Sequence, residues 1–295
     1  MGSLPRCPIC GDASAPLPRR NFGLHRTVVC RRCTLEYLLP QPTREETLAL
    51  YADEGYYRSG AGSYGYPDYE AEREAIARTG HRRLRRLLRY NPGRDLIEVG
   101  AAYGYFLQVA QDSGFNVAAL EVSDAAVARL RTQFDHVHHG ELAEAGLCNA
   151  FDVVVLFDTI EHLHDPRAFV EAAHQALRPG GLLAFTTPNN RSMSARLLGK
   201  RWWSYRVPEH LYYFNRRSLE HLLHGRFQIV AAHPDSQYFS VKALVARLRA
   251  RSPRIGRAAE VAVRALHLER LMVLVPNGMG FYIAVSTDGP RPSSA

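Results

Sequence analysis

The chain has 295 residues, 46% of them apolar, and a formal charge of +8. That length holds one large core plus an appendage, and the apolar share is ordinary for a globular protein. No apolar run is long enough to span a membrane, and Pro5 and Cys7 stand where a secretory signal needs an apolar stretch, so a cytoplasmic location is expected. The positive charge is almost all arginine, with Lys200 and Lys242 the two lysines. Such a bias can record genome composition, so nucleic acid is not the expected partner.

Cys7-Pro-Ile-Cys10-Gly11 and Cys30-Arg-Arg-Cys33 form two C-x-x-C pairs separated by a short polar segment. Each pair can make a tight knuckle presenting two thiolates, and the spacing predicts a zinc ribbon over residues 1–42. Four cysteine ligands leave no open position, so the Zn2+ is expected to be structural. The fifth cysteine, Cys148, is expected to be a small buried apolar residue. Residues 43–90 form a connection. Thr43-Arg-Glu-Glu46 has the form of a capping box, which predicts a helix through Leu48 and Tyr51. A glycine-rich stretch from Gly55 to Tyr69 follows, with tyrosines at 56, 57, 64, 66 and 69. A helix from about Asp68 to Arg89 carries Leu84, Leu87 and Leu88 on one stripe and Arg82, Arg85, Arg86 and Arg89 on the other. The arginine stripe is read as a solvated face, the alternative being a grip on a phosphate-bearing substrate or a carrier protein.

In Asp95-Leu-Ile-Glu-Val-Gly-Ala-Ala-Tyr-Gly104 an apolar strand runs into a glycine turn and then a helix. This is the nucleotide-cradling corner of a doubly wound α/β domain, expected over 91–288. A pyrophosphate site wants a second glycine where Ala102 stands, and its Cβ crowds that place. A cationic methyl donor without phosphate, S-adenosylmethionine, fits better. Glu98 is placed near its ammonium group, and the turn amides face its carboxylate and ribose. Glu121 ends the next strand (Asn116 to Leu120), about 20 residues on, as a ribose-hydroxyl acceptor.

Two further stretches complete a pattern. They are Phe151-Asp152-Val-Val-Val-Leu-Phe-Asp158-Thr-Ile-Glu161-His162-Leu-His164-Asp165-Pro166 and Leu177-Arg-Pro-Gly-Gly-Leu-Leu-Ala-Phe-Thr-Thr187-Pro188-Asn189. With the glycine turn, they resemble the fourth and fifth strands of class I S-adenosylmethionine-dependent methyltransferases over roughly Arg94 to Pro234. The resemblance implies a Rossmann-like seven-stranded sheet of order 3-2-1-4-5-7-6 with the last strand antiparallel. It implies cofactor contacts at Gly100, Ala102, Tyr103, Gly104, Val122, Glu141, Leu142, Phe157 and Asp158. In related enzymes the segment before the first strand folds over the cofactor, which points to Tyr57 or Tyr64. Asp158, Glu161 and His162 match an acid-x-x-Glu-His sequence that binds a divalent metal in ubiquinone-pathway O-methyltransferases, implying Mg2+ there. The N-terminal ribbon is similar to that of bacterial deoxysugar C-methyltransferases, which carry a further C-terminal domain.

The insertion at 189–215 contains Arg201-Trp202-Trp203 and Pro208-Glu209-His210-Leu-Tyr212-Tyr213. It reads as a lid over the cofactor edge. Trp202, Trp203, Tyr212 and Tyr213 would wall the acceptor, Glu209 would accept a hydroxyl, and His210 is the leading general base, with His162 and Glu161 beside it. Phe227 to Ala232 and Gly280 to Ser286 read as the last two strands, with a helical insertion at 240–270 that covers the substrate or forms a partner surface, including a second copy of the chain. The tail, 289–295, reads as disordered. The expected function is methyl transfer to a small-molecule acceptor, most simply a hydroxyl of a sugar or secondary metabolite. The alternatives are a C-methyltransferase, an RNA methyltransferase, a non-catalytic cofactor-binding module and, last, a nicotinamide oxidoreductase.

Overall fold

The computed structural model describes residues 6–52 and 69–289. Tyr57, Tyr64 and all of the tail except Gly289 lie outside the described residues. In chain order the elements are β1 (Leu17–Phe22), β2 (His25–Val29), β3 (Glu36–Leu39), α1 (Arg44–Ala52), α2 (Arg73–Leu87), β4 (Asp95–Val99), α3 (Tyr105–Asp112), β5 (Asn116–Glu121), α4 (Asp124–Leu130) and β6 (Val137–His139). They continue with β7 (Phe151–Phe157), α5 (Pro166–Ala176), β8 (Leu177–Pro188), α6 (Met193–Leu198), β9 (Tyr212–Tyr213), α7 (Arg216–Leu223), β10 (Phe227–Ser240), α8 (Val241–Arg251), α9 (Pro253–Ala265) and β11 (Met272–Ser286).

The main sheet has seven strands in the order β10-β11-β8-β7-β4-β5-β6. Numbered within that sheet, this is the expected 3-2-1-4-5-7-6, with β11 antiparallel to both neighbours. The central strands are buried on both faces, which explains their unbroken apolar runs. Leu96, Val153 and Val155 point into a core shared with Leu84, Leu87 and Phe106. Ile97, Val99, Val154 and Leu156 point into the opposite core. Strand tips are set by turns, and Gly104 shows why: its φ is +75°, and a Cβ there would strike the Phe134 ring.

The second sheet, β1-β2-β3-β9, corrects the picture of a ribbon set apart from a lid. β9 comes from the 189–215 insertion, and Tyr37 and Glu36 of β3 pair with Tyr212 and Tyr213. Cys7, Cys33, Leu35 and Tyr37 belong to the same core as Val154 and Phe185 of the main sheet. Buried polar groups bolt the join. Glu36 accepts from the Thr27 hydroxyl at 2.7 Å and from Tyr205 at 2.9 Å. Asn215 donates to the Thr34 carbonyl at 2.9 Å and caps α7.

The expected capping box is present: Thr43 Oγ1 accepts from the Glu46 amide, and Glu46 Oε2 from the Thr43 amide. Two residue readings are corrected. Cys148 is exposed, because it lies in the loop ahead of β7, where Asn149 takes a left-handed φ of +46°. The arginine stripe of α2 is not wholly solvated. Arg86 packs over Phe281 and reaches Asp235, and Arg83, between the stripes, is buried against the same carboxylate at 2.7 Å. The last strands are also longer than expected. They continue as a two-stranded arm, Ser236–Ser240 against Met272–Pro276, that carries α8 and α9.

Candidate functional site

A cleft of about 200 Å³ opens at the carboxyl ends of β4, β5 and β7. Its lining includes Gly100, Ala102, Glu121, Val122, Glu141, Leu142, Phe157, Asp158 and His162, all expected from the sequence. Glu121 organises the turn. Its Oε2 accepts from the Ala102 amide at 2.8 Å, and its Oε1 from the amides of Val122 at 2.8 Å and Ser123 at 3.0 Å. Ala102 has a φ of +49°, so the alanine holds a conformation in which its Cβ is crowded. Asp158, also left-handed at +55°, accepts from Thr186 at 2.7 Å and from Gln237 at 2.8 Å.

Glu98 lies nearly buried outside the cleft lining, with Oε2 lacking a hydrogen bond. Burial raises its pKa well above the carboxylate range, with Glu121 adding to the effect and Arg83 opposing it. Tyr103 and Gly104 support the turn from outside the lining. Tyr103 packs edge-on against Tyr69 at 5.2 Å and beneath the Arg129 guanidinium. Tyr69, the last tyrosine of the glycine-rich stretch, does reach the cleft.

The loop after β7 makes a short helical turn over Ile160–His162. His162 lines the cleft, and its Nδ1 lies 3.0 Å from the Glu209 carbonyl, tying this loop to the insertion. Its pKa is lowered to about 3, chiefly by burial and then by Arg206. Glu161 is fully buried with both carboxyl oxygens unbonded, and burial, reinforced by Asp158, raises its pKa well above normal. His210 is 5% exposed and outside the lining, with its pKa well below 6.5 through burial, then His162 and Arg206. Glu209 is buried and paired with Arg206 at 2.7 Å. The donor atoms that converge within 4.8 Å belong to Glu161, His162 and His210, not Asp158. Two imidazoles and one carboxylate do not make the oxygen cage that Mg2+ requires, so Mg2+ at Asp158, Glu161 and His162 is not supported.

The aromatic wall is corrected as well. Trp202, Tyr212 and Tyr213 are at most 1% exposed, taken up by packing between the ribbon and the main sheet. Trp202 meets Tyr205 edge-on at 5.3 Å, and Trp203 donates its indole N–H to the Asn277 carbonyl at 2.6 Å. None of the four lines the cleft. The lining instead includes Arg44 and Thr47 of α1, His164, Asp165, and Ala168 and Phe169 of α5. Arg44 bridges Glu141 at 2.8 Å and Glu144 at 3.0 Å, and His164 Nε2 lies 2.9 Å from Thr47 Oγ1. Periodicity could not reveal these residues, because α1 is remote in sequence from the strand tips. The one local signal was Asp165-Pro166, which caps α5 and so fixes where that helix begins.

The four ribbon sulfurs lie within 4.8 Å of one another, with Cys7 and Cys33 3.6 Å apart and Cys10 and Cys30 3.5 Å apart. Tetrahedral Zn2+ with bonds of about 2.3 Å puts its sulfurs roughly 3.8 Å apart, so the donor set fits that ion. None of the four is in a disulfide. Cys7 has its pKa lowered to about 5 by the Cys33 hydrogen bond, while burial raises Cys30 to about 11.

The family described as Methyltransferase domain matches residues 69–230, more than half of the chain. A Mycolicibacterium smegmatis protein named a probable S-adenosylmethionine-dependent methyltransferase is 41% identical over 105 residues, 35% of this chain and 41% of its own length. A ubiquinone biosynthesis O-methyltransferase of Cronobacter sakazakii is 32% identical over 110 residues, 35% of this chain and 45% of its own. These matches thus span less than half the length of either relative. Among solved structures, a chain from the complex of the Haloferax volcanii Trm112 methyltransferase activator aligns with a TM-score of 0.52 at 14% identity, covering 83% of this chain and 99% of that one. It shares the fold. The sheet order, the carboxyl-end cleft and the matched span together place this chain in the class I S-adenosylmethionine-dependent methyltransferase family.

Proposed function

We propose that the chain binds S-adenosylmethionine in this cleft and transfers its methyl group to a small-molecule acceptor, a hydroxyl of a sugar or secondary metabolite. The observation that carries the reading is Glu121, whose carboxylate gathers three amides at the cleft wall. A carboxylate so held is fixed in place and presents its remaining lone pairs to the ribose hydroxyls. Leu142, Leu163 and Phe169 give the adenine an apolar slot. When bound, the cofactor supplies an electrophilic methyl group on a sulfonium.

His162 is the candidate base that borders the cleft. With a pKa of about 3 it is a weak acceptor, so alignment of the acceptor oxygen contributes more than proton removal. Glu161, His210 and Glu209 act behind it by holding the loop and the insertion together. The name of the ubiquinone-pathway relative favours an oxygen acceptor. The four cysteines hold a structural Zn2+.

Calorimetry with S-adenosylhomocysteine tests the site. Glu121→Ala is expected to weaken binding by at least about tenfold, roughly 1.4 kcal/mol, since a charge-assisted hydrogen bond is lost. Unchanged affinity would remove Glu121 from the site.

A further inference from the structure

We propose that the helical hairpin α8–α9 docks the protein on an anionic membrane surface, with its outward apolar face entering the interfacial layer. Residues 241–274 hold eight basic side chains against Glu260 and Glu269, which is +6 of the chain's +8. The charge is therefore concentrated on one projection and not spread over the molecule.

Several large apolar residues of that projection face outward. In α9, Ile255, Val261 and Leu266 are 61%, 69% and 66% exposed. The one buried residue described in α9 is Gly256, which meets the Arg249 backbone of α8. At about 100° per residue, Ala258, Val261 and Ala265 fall opposite Gly256, and Ala262, Ile255 and Leu266 continue this exposed side along one edge. Arg257 and Arg264 border that side next to Val261 and Arg254 lies within it, and Arg254 and Arg257 form no ion pair among the described residues. Exposed Leu268 and Leu271 extend the apolar surface past the end of the helix.

An apolar stripe flanked by arginines is the pattern of a helix that lies in a headgroup layer, where the arginine stems follow the apolar surface and the guanidinium groups meet phosphates. The exposed apolar residues run the length of α9, from Ile255 to Leu266, which suits an extended planar partner. A second copy would bring like charges together. No helix among the described residues is long and apolar enough to cross a membrane, so the contact is peripheral.

The position of the hairpin gives the docking a consequence. β8 ends at Pro188, paired with Met279. The β10–β11 arm runs past that point to Ser240 and Met272, beyond the sheet end where the cleft opens. Docking would hold the cleft mouth near the lipid surface.

Full-length protein co-sedimented with vesicles provides the test. It should bind vesicles of equal parts phosphatidylcholine and phosphatidylglycerol, not phosphatidylcholine alone, and high salt should release it. The pairs I255S/L266S and R254E/R257E should each lower partitioning on the order of tenfold, with wild-type melting temperatures showing that the fold is intact. Absence of binding to anionic vesicles, or binding unchanged in both variants, would overturn the proposal. So would saturable binding of RNA or an acidic carrier protein by the hairpin while vesicles are ignored, or a dimer abolished by I255S/L266S.

Discussion

Ala102 shows how much one methyl group can decide. It puts a Cβ where a pyrophosphate-binding turn wants glycine, and it does so in a left-handed conformation that disfavours alanine. The Glu121 carboxylate holds its amide at 2.8 Å, and that bond keeps the residue in place. Ala102→Gly should therefore stabilise the protein, by about 1 kcal/mol in urea unfolding. A fall in stability would mean that the turn is relaxed as it stands. His210 yields a second prediction. Its imidazole is neutral in the fold and titrates near 6.5 when unfolded, so the stability it contributes is present above pH 6.5 and is lost as pH falls. The expected slope is up to about 1.4 kcal/mol per pH unit in this acid range. His210→Asn should flatten the profile of melting temperature between neutral and mildly acidic pH, and an unchanged profile would place the titration elsewhere.

Among the elements, α2 is held by more than its leucines. Arg83 gives two hydrogen bonds to Asp235 of β10, at 2.7 and 3.1 Å, and lies over the Phe157 ring at 4.6 Å. The Asp235 side chain is fully buried, and without Arg83 its remaining partner among the ion pairs is Arg86 at 3.5 Å. Arg83→Met should cost about 3 kcal/mol in equilibrium unfolding, because a buried carboxylate loses its main counter-charge. A loss under about 0.5 kcal/mol would show that Arg86 or water satisfies Asp235 in its place. The helix was legible from its leucine spacing. Arg83 was not, because a helical wheel cannot say that a distant strand brings an aspartate beneath it.

Across the whole molecule, the ribbon, the 189–215 insertion and one face of the main sheet share a core. Zinc at the cysteines should therefore stabilise more than the knuckles. Cys30→Ser should lower zinc content well below one equivalent and increase amide exchange in β9, which hydrogen-bonds to β3. Full metal retention would refute the four-cysteine site, and unchanged exchange in β9 would uncouple the two regions.

The glycine turn, Glu121 and the cysteine knuckles could be read from the chain itself, because each depends on local chemistry, namely apolar periodicity, backbone freedom at glycine, and fixed spacing between ligands, whereas the sheet order followed from the family resemblance. Burial and long-range pairing are set elsewhere. Trp202, Tyr212 and Tyr213 look the same in sequence whether they wall a cleft or fill a core, and the pairing of β9 with β3 decided it. Arg44 and Phe169 entered the cleft wall, and Ile255 and Leu266 stayed outside every core, for the same reason. A side chain's neighbours are chosen by elements far along the chain, and only their packing determines which apolar surface is left facing out.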